Sequence, residues 1–210
     1  MRSPLSYYKI QKAISWAIRG NPLFVDRQKY GRATLLNVGC GAHPKPQFIN
    51  LDYHWLPGVD ICWDLTRGSL PLKSGSMAGV FSEHCIDCIP HDAFMRTVKE
   101  IHRVLKPGGV FRLVLPDGEL YLDLYQKRKT DKSVVFPYGE QEATGMISIN
   151  RYAREGTHQY SYDFESLELF LRQAGFSSVV RRRIGEGAMA ELLIDQQERA
   201  GESLVVEAVK

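Results

Sequence analysis

The chain has 210 residues and a formal net charge of +3, and 44% of its residues are hydrophobic. This length suits one α/β domain with a complete core, and the composition is ordinary for a globular protein. The small net charge gives no reason to expect nucleic-acid binding, and no apolar run is long enough to span a membrane. Because the start also lacks a signal-peptide pattern, we expect a cytoplasmic protein.

The distribution of charged residues and cysteines adds two expectations. Residues 1–33 hold seven basic side chains and one acid, Asp26. This excess is typical of a solvated helix face, although it also allows a weak contact with a membrane surface. The four cysteines favour a reducing compartment, because the chain is neither small nor disulfide-dense. Cys85 and Cys88 have the spacing of a metal-binding pair, but a second pair is missing, so the sequence predicts no metal site.

Hydrophobic periodicity predicts strands that alternate with helices. Ser3-Pro4 is typical of a helix start, and the apolar residues Ile10, Ile14 and Ile18 follow at helical spacing. Further helices are expected over residues 118–128 and after two capping residues, Asp92 and Asp163. A short helix is indicated around residues 187–199. Strands are predicted over residues 34–38, 47–51, 59–64, 77–82, 110–115, 177–183 and 203–209.

This alternation predicts a doubly wound, mostly parallel seven-stranded sheet, with the last two strands pairing antiparallel at its edge. The usual helix between the first two strands is shortened or missing, because only ten residues separate Gly41 from Asp52 and two of them are prolines. We expect the apolar stripe of the N-terminal helix to cover the sheet face left bare there.

A glycine turn, "LLNVGCG", ends the first predicted strand. In open α/β sheets, ligands bind beyond the carboxyl ends of the strands, and Gly39 and Gly41 allow a ligand to approach the backbone. Asp52 ends the second strand and can accept hydrogen bonds from ribose hydroxyls. Asp64 ends the third and can accept one from an adenine amine. A nicotinamide site is disfavoured, because Pro44 stands where the third glycine of that motif is required.

The chain resembles the class I S-adenosylmethionine-dependent methyltransferases, and most of all their compact type 11-like group, which is often found beside polysaccharide genes. The resemblance rests on segments in family order, among them "LLNVGCG", "FINLD", "VDICWDLT", "EIHRVLKPGGVFRLVLPD" and "HQYSYDFESLELFLRQAGF". It implies a Rossmann-like methyltransferase fold over one domain, residues 1–210, and S-adenosylmethionine as cofactor. It also implies methyl transfer to a hydroxyl or amine of a small-molecule or glycan-linked acceptor.

The resemblance also assigns roles to individual residues. Asn37, Gly39, Cys40 and Gly41 would line the methionine end of the cofactor. Asp52 would hold the ribose, and Asp64 with Leu65 would flank the adenine. Ser82, Glu83 and His84, at the end of the fourth strand, would face the sulfonium. The candidates for a catalytic base are His84, then His158, then Glu83 and Asp117.

Two features leave other readings open. His43 replaces the usual third glycine of the turn, and Cys88 stands where relatives have a histidine, so a catalytically degenerate cofactor-binding or partner subunit is the alternative.

Residues 129–162 lack clear periodicity, and a loop of this length is usually functional. We expect them to form a substrate lid that brings His158 and Tyr162 close to the sulfur of the cofactor. Their other aromatic and guanidinium groups suit a sugar or an anion: Tyr138, Arg151, Tyr152, Arg154 and Tyr160.

Overall fold

The computed structural model describes residues 4–21, 31–137, 144–155 and 158–210, without the side chains of residues 4–9, 154 and 155. The strands are β1 Leu35–Val38, β2 Ile49–Asp52, β3 Ile61–Cys62, β4 Met77–Glu83, β5 Leu105–Pro116, β6 Ser178–Arg182 and β7 Ser203–Val209. The helices are α1 Pro4–Ile18, α2 His91–Val104, α3 Gly118–Thr130, α4 Gly145–Asn150 and α5 Phe164–Gln173. None of the helices described is long and apolar enough to cross a membrane.

The strands form one seven-stranded sheet in the order β3-β2-β1-β4-β5-β7-β6. β1 to β5 pair parallel, whereas β7 pairs antiparallel with both β5 and β6. This arrangement confirms the predicted mostly parallel sheet with antiparallel pairing near its edge. The carboxyl ends of β1 to β4 therefore meet along one edge of the sheet, where a ligand site is expected.

Local differences from the predicted elements have simple causes. β3 has only two residues, because Asp64 caps a short 3-10 turn over Leu65–Arg67 and ends the strand early. Asp92 does not cap α2, where Pro90 occupies the N-cap position. Asp163 caps α5 as predicted, since its side chain accepts a hydrogen bond from the Ser166 amide. The helix expected around residues 187–199 is present as two short 3-10 turns.

One face of the sheet is covered by helices. α2 contributes its apolar stripe, and α5 contributes Leu167 and Leu171, both fully buried. Each such side chain stabilises the fold by about 1.5–3 kcal/mol relative to an exposed position. The main core therefore lies between the sheet and these two helices.

The opposite face is covered in a way that the sequence did not predict. No helix joins β1 to β2, as expected, but α1 does not replace it: Ile10 and Ile14 are 52% and 37% exposed. The β6–β7 connection (residues 183–202) covers the face, and its Met189 and Leu192 pack in a cluster with Phe48 from the β1–β2 loop. The predicted role of the α1 stripe is therefore wrong.

A buried arginine fixes the β6–β7 connection to the sheet. Arg112, on β5, is fully buried and forms an ion pair with Asp195 of the connection. It also donates to the carboxylate of Glu207 at 3.0 Å and to the backbone carbonyl of Glu186 at 2.7 Å. Because every partner is buried or belongs to the backbone, this contact holds the connection against the sheet.

α1 instead packs beside β3 and the β2–β3 loop. The Ser15 hydroxyl accepts a hydrogen bond from the Trp55 amide at 2.8 Å, and the Gly20 amide donates to the Cys62 carbonyl at 3.0 Å. The guanidinium of Arg19 lies 3.5 Å from the centre of the Tyr53 ring. The C-terminal part of α1 is thus attached to the sheet, with Ile18 buried.

Candidate active site

The glycine turn after β1 is hydrogen-bonded to the end of β2. The amides of Gly39 and Cys40 both donate to the Leu51 carbonyl, at 2.8 and 3.1 Å. Gly39 and Gly41 have φ values of 74° and 52°, which glycine adopts without strain. A Cβ atom on residue 39 would also overlap the Sγ of Cys85. Glycine is therefore required at position 39 for both reasons.

The two predicted strand-end carboxylates lie where the sequence places them. Asp52 accepts hydrogen bonds from the amides of Gly41 and His54, both at 2.8 Å. The carboxylate of Asp64 accepts from the Thr66 amide at 3.0 Å and from its hydroxyl at 2.7 Å. Asp52 thus joins the glycine turn to the end of β2, and Asp64 stands at the end of β3.

A cavity of about 630 Å³, here called the large cavity, runs along these strand ends. This volume is within the range of cavities that enclose a small-molecule cofactor. A nucleoside-containing cofactor fits its donor set, since glycine leaves room for close approach and both carboxylates can accept from hydroxyl or amine groups. Its lining includes Gly39, Gly41, Asp52, Asp64, Leu65, His84, Cys88 and Gln159.

A second cavity of about 190 Å³, the small cavity, begins at the same turn. It shares Gly39, Gly41 and His84 with the large cavity. The rest of its lining is mostly polar and includes Asn37, Cys40, Lys45, Glu83, Gln196 and Arg199. The two cavities therefore meet at His84.

His84 follows β4 in an unusual conformation. Its φ is 45°, and it is the one non-glycine residue with a positive φ in the described parts of the chain. Its Nε2 lies 2.9 Å from the hydroxyl of Ser203 on β7, a partner that the sequence did not indicate. Burial, and secondly the charge of Arg199, lower the pKa of His84 to about 4. The imidazole is therefore neutral at pH 7, with its Nε2 oriented by Ser203.

Glu83, the neighbouring candidate, is engaged elsewhere. One carboxylate oxygen accepts from the backbone amide of Gln196 and the other from its side-chain amide, both at 3.0 Å. Burial raises the pKa of Glu83. Its carboxylate therefore holds the β6–β7 connection at the wall of the small cavity.

His158 lies near the large cavity and is paired with a residue that the sequence pattern did not indicate. Its Nδ1 bonds to the carboxylate of Asp87, and the Sγ of Cys88 lies 3.9 Å from the same nitrogen. The hydrogen bond to Asp87 raises the pKa of His158 to about 10. In this arrangement the imidazole of His158 is engaged by Asp87, which favours its protonated form.

Of the predicted residues not yet described, Asn37 lines the small cavity, whereas Ser82, Asp117, Tyr152 and Tyr162 line neither cavity. Ser82 is fully buried and lines neither the large nor the small cavity, so its burial gives no support to a contact with the sulfonium. Asn37 donates to the side chain of Asn50 at 3.3 Å. Asp117 caps α3 and pairs with Arg181.

Of the remaining candidates in residues 129–162, Tyr162 is buried against Phe94 and Tyr152 stacks on Tyr121. Tyr138 and the side chain of Arg154 are outside the described residues.

Comparison with known proteins finds one matching family model and solved structures with a similar fold. Residues 40–113 match a family model described as a methyltransferase domain. No curated protein sequence matches the chain.

Solved structures with a similar fold cover almost the whole chain. An S-adenosylmethionine-dependent methyltransferase from Thermotoga maritima aligns at 18% identity and a TM-score of 0.53, over 98% of this chain and 96% of its own. One from Archaeoglobus fulgidus aligns at 13% and 0.52, over 95% and 94%. The 1,6-didemethyltoxoflavin-N1-methyltransferase of Burkholderia thailandensis, solved with S-adenosylhomocysteine, aligns at 14% and 0.50, over 100% and 91%.

The family match and the geometry concern the same part of the molecule. The matched residues include Gly41, Asp52, Asp64 and His84, which lie together along the large cavity. The strand order and the similar solved structures give the fold around them. Residues 40–113 thus match a methyltransferase domain, and the chain has the fold of S-adenosylmethionine-dependent methyltransferases.

Proposed function

We propose that the protein methylates a hydroxyl or amine group of a small-molecule or glycan-linked acceptor, with the accepting atom placed beside His84. The observation that carries this proposal is the junction of the two cavities at a neutral histidine. S-adenosylmethionine supplies, when bound, a methyl group already activated by its sulfonium. The residues of the chain then need to align the reactants and accept a proton.

The cofactor contacts belong to this proposal. Asp52 would accept from the ribose hydroxyls, and Asp64 with Leu65 would flank the adenine. The glycine turn, with Cys40 and Asn37 beside it, would line the methionine end. Their positions along the two cavities support these roles, whereas the burial of Ser82 argues against a role for that residue.

His84 is the base that the geometry favours. Proximity and alignment can supply roughly 7–11 kcal/mol in well-oriented reactions, but a hydroxyl acceptor must also lose its proton. A neutral imidazole can take that proton, and the Ser203 hydroxyl at 2.9 Å would keep the ring in place. Glu83 and His158 are less suited, because both are held by other partners.

Residues 129–162 would form a lid of the single domain. Where the structure describes them, their end is attached to the rim of the large cavity: the Gln159 amide donates to the Asp87 carbonyl at 3.0 Å, and its side chain to the Cys88 carbonyl at 3.1 Å. A closed lid excludes water from the site and keeps the acceptor bound for the reaction. Hydrogen exchange over residues 144–155 should slow when S-adenosylhomocysteine binds, and unchanged exchange would argue against the lid.

The compact type 11-like group that the chain resembles is often found beside polysaccharide genes, so we infer a sugar-containing acceptor in the cytoplasm. Cys62 and Cys85 are free thiols, which agrees with a reducing compartment. A weak contact of the basic N-terminus with a membrane surface is compatible with such an acceptor.

Turnover measurements on a His84 variant test the proposal. Asparagine tolerates a positive φ, so His84→Asn preserves the backbone while removing the base. With a panel of sugar and amine acceptors, we expect turnover to fall by about 100-fold or more, with little change in S-adenosylhomocysteine affinity. His102→Asn is the control, because His102 lines neither cavity.

Unchanged turnover in His84→Asn would remove His84 as the base. If the wild-type chain binds S-adenosylhomocysteine but methylates no acceptor of the panel, the alternative of a catalytically degenerate partner subunit is favoured.

A further inference from the structure

Three side chains that bind metals in other proteins meet beside the large cavity. Asp87 and Cys88 lie in the 3-10 turn Ile86–Cys88, and His158 comes from a segment about 70 positions later in the chain. One carboxylate oxygen, the thiol sulfur and one imidazole nitrogen all lie within 4.8 Å of one another. Oxygen, sulfur and nitrogen donors of these types are the ligands of zinc.

One carboxylate oxygen of Asp87 is buried without a partner among the described residues. The Asp87 side chain is 2% exposed. Its Oδ2 interacts with both His158 and Cys88, whereas its Oδ1 is buried without a hydrogen-bond partner among the described residues. Such an unpaired buried oxygen is unfavourable, and a bound cation would satisfy it.

The backbone holds the three residues together independently of their side chains. Gln159, next to His158, bonds to the carbonyls of both Asp87 and Cys88 through its amide and its side chain. The ligands are therefore positioned before any ion binds. Cys88 and Gln159 also line the large cavity, so the cluster lies at its wall.

We propose that Asp87, Cys88 and His158 form a zinc site with three protein ligands and a fourth position directed to the large cavity. Three protein ligands with one open position are typical of catalytic zinc sites, and the thiolate favours zinc over magnesium or calcium. Zinc displaces the proton of the Cys88 thiol and the proton shared by His158 and Asp87, and both are released to solvent. The open position takes water or an oxygen of the acceptor.

This set differs from the spacing that the sequence suggested. Cys85 does not belong to it, although it forms the C-x-x-C pair with Cys88, because its side chain packs against Gly39 instead. The two alternatives can therefore be separated by variants of single cysteines.

Metal binding by the full-length protein tests the proposal without cofactor or acceptor, so the outcome does not depend on the proposed function. The purified chain is freed of metal with a chelator and titrated with Co²⁺, a spectroscopic substitute for Zn²⁺, and zinc content is measured by mass spectrometry after reloading. We expect a saturable thiolate-to-cobalt charge-transfer band that Zn²⁺ abolishes by competition.

Cys88→Ser should lose the charge-transfer band. Asp87→Asn and His158→Gln should weaken Co²⁺ binding by more than the roughly 10–100-fold that the loss of an outer-sphere partner costs. Cys62→Ser, a buried cysteine outside the cluster, is the matched control and should retain the band. Circular dichroism checks that each variant is folded.

Two results would overturn the proposal. One is a folded wild-type chain that binds neither Co²⁺ nor Zn²⁺ above background. The other is loss of the band in Cys85→Ser together with normal binding by His158→Gln, which would assign the metal to the C-x-x-C pair.

Discussion

At the scale of single residues, His84 combines a strained backbone with a buried imidazole. A positive φ costs a histidine more than a glycine, and such conformations persist where the surroundings impose them. Here the backbone amide donates to the Val114 carbonyl at 2.9 Å, and the ring contacts Ser203 at 2.9 Å. His84 is therefore fixed from two strands, β5 and β7, at the junction of the cavities.

The lowered pKa of His84 predicts a loss of stability in acid. Burial and the Arg199 charge lower this pKa to about 4, the His158 charge lowers it further, and Asp87 opposes them. The unfolded chain takes up the proton near pH 6.5. The stability that neutral His84 contributes to the fold is therefore complete above that pH and is lost as the pH falls towards 4.

Between pH 7 and pH 5, the wild-type free energy of unfolding should therefore fall by about 2 kcal/mol more than that of His84→Asn. Urea denaturation at both pH values measures the difference. Equal decreases in the two proteins would mean that His84 is not held neutral.

At the scale of elements, α1 shows why a helical pattern does not identify the buried face. Ile10, Ile14 and Ile18 lie on one stripe, but only the last is buried. The helix contacts the β2–β3 loop through its C-terminal part, where the buried Ser15 accepts a hydrogen bond from Trp55. Periodicity shows which side chains share a face, whereas the partner surface determines how much of that face is covered.

A pair of alanine substitutions tests this arrangement of α1. Ile18→Ala should lower the free energy of unfolding by about 2–5 kcal/mol, because it leaves a cavity in a packed site. Ile10→Ala should change it by no more than about 0.5 kcal/mol, as for most exposed positions. Urea denaturation measures the free energy of unfolding of both variants. Similar losses of stability would indicate that the whole apolar stripe is buried.

The β6–β7 connection depends on the buried pairing of Arg112. Arg112→Gln leaves Asp195 buried without its cation and leaves Glu207 paired with Arg182 alone, which should cost about 3–5 kcal/mol of folding stability. Arg172→Gln is the control: Arg172 pairs with Glu168 at 2.8 Å but is half-exposed, and such pairs contribute about 0–1 kcal/mol. Urea denaturation of both variants gives the measurement. Equal stability of the two variants would show that the connection is held by its apolar contacts alone.

At the scale of the whole molecule, the sequence predicted the features that depend on short stretches of the chain. The strands, the Asp163 cap and the missing first helix followed from periodicity, capping and chain length. Asp52, Asp64 and the glycine turn were expected to lie together, because parallel strands end along one edge of a sheet. These predictions needed no knowledge of contacts between distant segments.

Other features depend on contacts between distant parts of the chain. His84 and Ser203 are 119 positions apart, and Asp87 and His158 are 71 apart. The covering of the second sheet face by the β6–β7 connection is of the same kind, since Met189 and Phe48 pack in one cluster although they are far apart in the chain. No local pattern in the sequence records these contacts, so the partners of both histidines could not be predicted.

The central claim is that the large cavity holds S-adenosylmethionine through Asp52. Calorimetry with S-adenosylhomocysteine tests it most directly, comparing the wild type with Asp52→Ala and with the control Asp92→Ala, whose carboxylate lies on the surface of α2 and pairs with Arg96. Loss of a charged hydrogen-bond acceptor costs about 1.5–3 kcal/mol, so Asp52→Ala should bind at least about tenfold more weakly while Asp92→Ala binds normally. A folded Asp52→Ala protein with wild-type affinity would contradict the claim.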